Sequence, residues 1–162
     1  MNDDTEPIAI CGCRGGAAPP PQAAQRTPVA VGLAATRKLT VDRERTIDFM
    51  GEAARVYATP MLVRDIEMTC RDLLLAHVEP GQDSVGTRVE IDHLAATLLG
   101  MEVELSVKVT EVKGRAVTFE VQGRDSVDPI CRGTHVRFVV DTKTTEARLA
   151  TKAARAAKAG IV

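Results

Sequence analysis

"TPMLVRDIEMTCRDLLLAHVEPG", residues 59–81, has the pattern of one amphipathic helix with its sides already assigned. Wound at about 100° per residue, Leu62, Val63, Ile66, Cys70, Leu73 and Leu74 gather on one arc. Arg64, Asp65, Arg71 and Asp72 take the opposite side. Thr59 as N-cap followed by Pro60 at the first helical position predicts the start. The helix is expected to run to about His77 or Val78, where Pro80 and Gly81 make a turn. Glu67 belongs to neither side. It stands at the seam between the apolar stripe and the charged face, so a carboxylate is aimed near a core.

Outward from this helix the period changes to two. "RKLTV" (37–41) suits a short strand before the helix, and four strands follow it. In residues 84–93, Val85, Thr87, Val89, Ile91 and His93 share a face by strict alternation. In 101–112, Val103, Leu105, Val107 and Val109 alternate with polar residues. Lys113-Gly114 predicts a tight hairpin turn into 115–123, which buries Val117, Phe119 and Val121. The strand at 134–141 is expected to bury Val136, Phe138 and Val140. One helix and a five-stranded, mainly antiparallel sheet, with the last four strands in meander order, make an α+β domain whose helix covers one sheet face.

The ends differ from this core in composition. Residues 1–35 are rich in Ala, Pro and Gly and lack periodicity, which predicts a disordered extension. The folded domain is expected over 36–143. Residues 144–162 form a basic, Ala-rich helix or tail, with Arg148, Lys152, Arg155 and Lys158 on a solvated side. Cys11-Gly12-Cys13 lacks the further ligands that zinc needs, so no metal site is expected there.

Composition narrows the function. With 21 basic and 22 acidic residues the formal net charge is -1, which gives no electrostatic case for nucleic acid or an anionic membrane. No apolar run reaches the roughly 20 residues of a membrane span. Four scattered cysteines make no disulfide framework, so a cytoplasmic location is expected. Aromatic residues are 2% of the chain, so the core must be aliphatic.

Three residues could do chemistry together. His93 ends a strand on a face that period two assigns to the interior, and small residues follow it. Glu67 could simply pair with Arg71 at i+4. Thr59 could do no more than cap its helix. Taken together they offer a hydroxyl at a helix N-terminus, a carboxylate two turns on, and an imidazole on a facing strand. That set suits acyl transfer, with helix N-terminal amides to stabilise an oxyanion.

The stretch from Tyr57 to Val103 resembles the hot-dog-fold thioesterases of the fluoroacetyl-CoA thioesterase type. The features are an Ala-Thr opening the helix, a Glu eight residues after that Thr, then "EPG", "S-x-GT" and "H-x-AAT". Further on, "VDPICRGTHVRFVV" (127–140) is similar to the family's G-T-H-x-R strand, so the likeness spans about residues 37–143. It implies a hot-dog fold and hydrolysis of a short acyl-CoA without a cofactor, with Thr59, Glu67 and His93 as the catalytic set. It also implies a homodimer whose sheets join side by side, with the acyl-CoA pocket near the interface. Gly86 corresponds to a glycine whose backbone lies near the thioester. The lid aromatics of the fluoroacetyl-selective member fall here on Met50 and Ala53, which leaves the acyl group open. Whether Glu67 attacks the thioester or activates water is open as well. A hot-dog domain that binds acyl-CoA without turnover, a hot-dog hydratase, and an interaction module are the rival readings.

Overall fold

The computed structural model describes residues 27–161. The Cys11-Gly12-Cys13 motif and most of the expected extension lie outside the described residues. Strand β1 is Ala34–Thr40 and helix α1 is Thr59–Leu75, with a short 3-10 turn at Arg43–Arg45 and another at Glu52–Ala54 between them. Then come β2 (Gln82–His93), β3 (Glu102–Lys113), β4 (Ala116–Asp125), β5 (Pro129–Asp141) and a second helix, α2 (Thr142–Lys158).

All strand pairs are antiparallel, in the order β1-β3-β4-β5-β2. The meander therefore holds for β3, β4 and β5 only, and β2 crosses to the far side of β5. The length of α1 explains this: 17 residues rise about 25 Å, enough to span a five-strand sheet with strands roughly 4.8 Å apart. The helix touches β1, β3, β5 and β2, and so delivers the chain to the opposite edge.

The aliphatic core is the predicted one. Leu62, Ile66, Cys70 and Leu74 of α1 are buried against Val103, Leu105, Val107 and Val109 of β3 and Val117, Phe119 and Val121 of β4. The two-residue turn at Gly114-Arg115 joins Lys113 to Ala116, with Gly114 at φ 59°.

Four expectations need correction. On β5 the alternation is inverted: His135, Arg137 and Val139 face inward, while Phe138 is 40% exposed and Val136 and Val140 lie beside it on the outer face. On β2 a bulge between Gly86 and Arg88 breaks the expected face. Val89, Ile91 and His93 stand opposite the inward residues His135, Gly133 and Cys131, whereas Val85 pairs outward with Phe138. Asp65, assigned to the polar side of α1, is 3% exposed, because Tyr57 and Arg45 reach it beneath the helix start. Finally, the domain begins before residue 36. Val29 and Leu33 pack on the core, the Gly32 N–H donates to the Val109 carbonyl, and the Val109 N–H donates to the Leu33 carbonyl.

At the other end Asp141 caps α2 by accepting from the Thr144 amide, and no residue of α2 is buried. Among the described residues no helix is long and apolar enough to cross a membrane.

Candidate active site

Thr59 does not cap α1. Ala58 holds the N-cap position, no side chain caps the first turn, and the Thr59 Oγ1 lies 2.9 Å from His93 Nδ1. The one-residue shift is small as a boundary, but it releases the hydroxyl for the imidazole that ends β2. Burial pushes the His93 imidazole below its ordinary pKa, which favours the neutral ring. Its other nitrogen, Nε2, is buried without a hydrogen-bond partner among the described residues. Beside this pair opens a cavity of about 380 Å³ lined by Ile47, Phe49, Val56, Tyr57, Leu94 and Ala95 among others. Met50 and Ala53 are exposed and do not line it, and Phe49 stands where they were expected.

Glu67 is placed elsewhere. Eight residues along α1 from Thr59, it is roughly 12 Å further down the helix axis. Among the described residues no hydrogen bond or ion pair joins it to Thr59 or His93. Nor does it pair with Arg71, whose guanidinium goes to Asp83. Its Oε1 lies 3.9 Å from Arg137 Nη1 and 3.7 Å from His135 Nε2, and the Glu67 backbone carbonyl accepts from Arg137 Nη1 at 3.2 Å. A Cβ on Gly86 would come 2.2 Å from Glu67 Oε1, so the carboxylate occupies the space a side chain would need. Gly86 and Glu67 therefore belong to one place.

Beside the Glu67 carboxylate lie a buried imidazole and a buried guanidinium. The His135 Nδ1–H donates to the Arg88 carbonyl at 2.8 Å, just past the β2 bulge. That leaves Nε2 unprotonated to accept from Arg137 Nη1 at 3.3 Å. Burial lowers the His135 pKa, and the Arg137 cation lowers it further. Arg137 is 4% exposed and also donates to the Ser84 hydroxyl (2.9 Å) and the Ser84 carbonyl (2.6 Å). Burial draws the guanidinium below its ordinary range, and the Glu67 carboxylate is the main opposing influence. Glu67 is thus the half-exposed counter-charge of a buried arginine.

Ser84, His135 and Arg137 were not picked out as candidates from the sequence. The "GTHVR" pattern (133–137) carried the signal, since two polar residues two apart in a strand share a face.

A family model described as fluoroacetyl-CoA-specific thioesterase matches residues 41–143. The chain belongs to this family. The fluoroacetyl-CoA thioesterase of Streptantibioticus cattleyicolor is 34% identical over 101 residues, 62% of this chain and 73% of that protein. Among solved structures, a Phe-to-Ala mutant of the fluoroacetyl-CoA-specific thioesterase superposes with a TM-score of 0.73 at 30% identity, covering 78% of this chain and 99% of that one. A hot-dog-like protein from Thermanaerovibrio acidaminovorans gives 0.69 at 26% identity, covering 75% and 91%. The fold is the hot-dog fold, and the thioesterase is a hydrolase of acyl-CoA thioesters.

Proposed function

We propose that this thioesterase cleaves a small acyl-CoA to the free acid and CoA using Thr59, Glu67 and His93, with Gly86 beside the reacting carbonyl. The observation that carries the proposal is the Glu67 carboxylate lying over the side-chain-free backbone of Gly86, with Arg137 as its counter-charge. A thioester can approach that wall closely only because residue 86 has no Cβ.

In the reaction, water supplies O–H and the C–S bond breaks. Glu67 either removes the proton from the attacking water or attacks the carbonyl itself to give an anhydride that water then opens. The amides at the start of α1 suit the developing oxyanion, and the Thr59–His93 pair suits proton delivery to the leaving thiolate.

The two half-sites are separated within one chain, and β2 is a 12-residue strand on the open edge of the sheet. Inward-facing Val89 is 40% exposed there. An edge of this length calls for cover. A homodimer whose sheets join along β2, with the acyl-CoA pocket near the interface, supplies it. The buried free thiols of Cys70 and Cys131 suit a reducing cytoplasm.

Met50 and Ala53 place no aromatic pair in the segment before α1, so acyl groups larger than fluoroacetyl should be accepted. Ala53→Phe should move preference toward the shortest chains by about 1–3 kcal/mol if residue 53 folds over the acyl group. The deciding assay is CoA release from a panel of acyl-CoAs, with kcat/KM for acetyl-CoA compared with a branched or aromatic acyl-CoA. Tight binding without turnover across the panel would replace this reading with that of an acyl-CoA-binding domain.

A further inference from the structure

Tyr57 is the only tyrosine in the chain, is 2% exposed, and immediately precedes the N-cap of α1. Its hydroxyl donates to Asp65 Oδ2 at 2.7 Å, and Arg45 Nε donates to the same oxygen at 2.9 Å. The carboxylate is therefore shared between a phenol and a guanidinium, both anchored under the start of α1. The Tyr57 ring stands edge-on to His93, with centroids 6.5 Å apart and planes at 79°. The Tyr57 backbone N–H also donates to the Thr97 carbonyl at 2.8 Å, and the Thr97 hydroxyl donates to Asp125 at 2.9 Å. So Tyr57 meets His93 directly through its ring and again through the segment that follows it.

Turning an imidazole about its Cβ–Cγ bond displaces Nδ1, so a single hydrogen bond there is a weak restraint unless packing supports it. His93 is bonded through Nδ1 to Thr59, and among the described residues its Nε2 has no hydrogen bond to hold the far side of the ring. Packing does that, together with the Ala95 backbone, which also bears on the ring. We infer that Tyr57 is a positioning residue for His93, held in register by Asp65 and Arg45. The inference rests on the role of His93 proposed above.

Tyr57 and Cys131, which stands opposite His93 on β5, are the titratable neighbours of the imidazole. Burial raises the pKa of both, Cys131 to about 11, so neither brings a charge. Asp92, next in sequence, faces away and pairs with Arg132. The depressed pKa of His93 then follows from burial, to which the edge-on Tyr57 ring contributes, against the Ala95 backbone acting in the opposite sense.

The test pairs Tyr57→Leu with Tyr57→Phe, reading thermal melting, the pH profile of kcat, and the His93 imidazole titration by NMR, assigned with His93→Gln. Loss of the ring in Tyr57→Leu should lower kcat by about a hundredfold with KM little changed. Water then reaches His93, its pKa climbs toward the ordinary value, and the limb of the profile that His93 sets moves to higher pH. Tyr57→Phe keeps the ring and should be about tenfold faster than Tyr57→Leu, leaving a deficit of about tenfold. A folded Tyr57→Leu with unchanged kcat and unchanged His93 titration would overturn the inference. Should that variant fail to fold, Tyr57→Phe and Arg45→Lys decide by the same readouts, and an unmoved titration in both overturns it. The titration reads the grip of Tyr57 on the imidazole whether or not His93 catalyses. Normal turnover by His93→Gln would instead remove the catalytic reading of His93 itself.

Discussion

Strands β3 and β4 and strands β5 and β2 face the same helix with opposite chemistry. The first pair presents Val103, Leu105, Val107, Val109, Val117, Phe119 and Val121, all at most 1% exposed. The second presents Ser84, Gly86, His135 and Arg137, and turns Val85 and Phe138 outward. Where a sheet face only excludes water, apolar residues fall on it at every second position. Where the same face must hold a carboxylate beside a buried cation, the inward positions turn polar or empty. The neighbouring apolar residues are then left on the outside. The polarity of a strand's two faces is therefore a statement about what the inner face is for.

Deleting a side chain on the apolar half should have the largest effect. Phe119 is fully buried and paired in register with His135, so Phe119→Ala should cost about 3–5 kcal/mol in chemical denaturation. A cost below about 1 kcal/mol would mean the site half, not this half, holds the fold together.

Next comes the charge on the site half. Glu67→Gln is isosteric and 42% of the Glu67 side chain is exposed, so stability should move by less than about 2 kcal/mol. Turnover should fall on the order of 10²-fold or more, at least about 2.7 kcal/mol of barrier. Near-normal kcat in this variant would reduce Glu67 to the structural counter-charge of Arg137.

Two glycines sharpen the contrast. At Gly123 a Cβ would lie 2.6 Å from the Cys131 sulfur and 2.9 Å from Leu105 Cδ2, both in the core. Gly123→Ala should cost about 1–3 kcal/mol of stability and leave kcat of the folded fraction near normal. At Gly86 the clash is with the far end of the Glu67 side chain, which can swing aside. Gly86→Ala should keep its melting temperature and lose activity by roughly tenfold or more through a displaced carboxylate. If the two variants behave alike, the division between the halves is wrong.

The same contrast explains what could be read from the sequence. The periodicity of α1 and the alternation in β3 and β4 were legible because burial alone governs them. The face of β5 was misread because Val136, Phe138 and Val140 outweigh His135 and Arg137 in any apolar count. The β2 bulge left no trace in an alternation that looked unbroken through Thr87. Glu67 and His93 stand out in the sequence as anomalies and Thr59 only as a helix cap, and their separation into two places depends on helix length and strand order. Val29 and Leu33 were hidden by the Ala- and Pro-rich composition around them.

The smallest effect is a pH dependence that should belong to the site half alone. β3 and β4 contain no histidine, whereas β2 ends in His93 and β5 carries His135, both with pKa values depressed by burial. In the unfolded chain each titrates near about 6.5. Well above that pH neither state binds the proton, and the histidines make no difference to stability. As pH falls through 6.5 toward the lower folded values, the unfolded state takes up protons that the folded state refuses, and stability declines. The carboxylates that are stabilised in the fold, such as Asp83 beside Arg71, act in a separate and more acidic window. Melting temperature measured from pH 7.5 down to 5 should therefore drop before the carboxylates titrate. His135→Gln, which can still donate to the Arg88 carbonyl and accept from Arg137, should flatten part of that drop. An undiminished slope in His135→Gln would assign the linkage to His93, and the imidazole beneath Glu67 would then be charged as readily in the fold as in the unfolded chain.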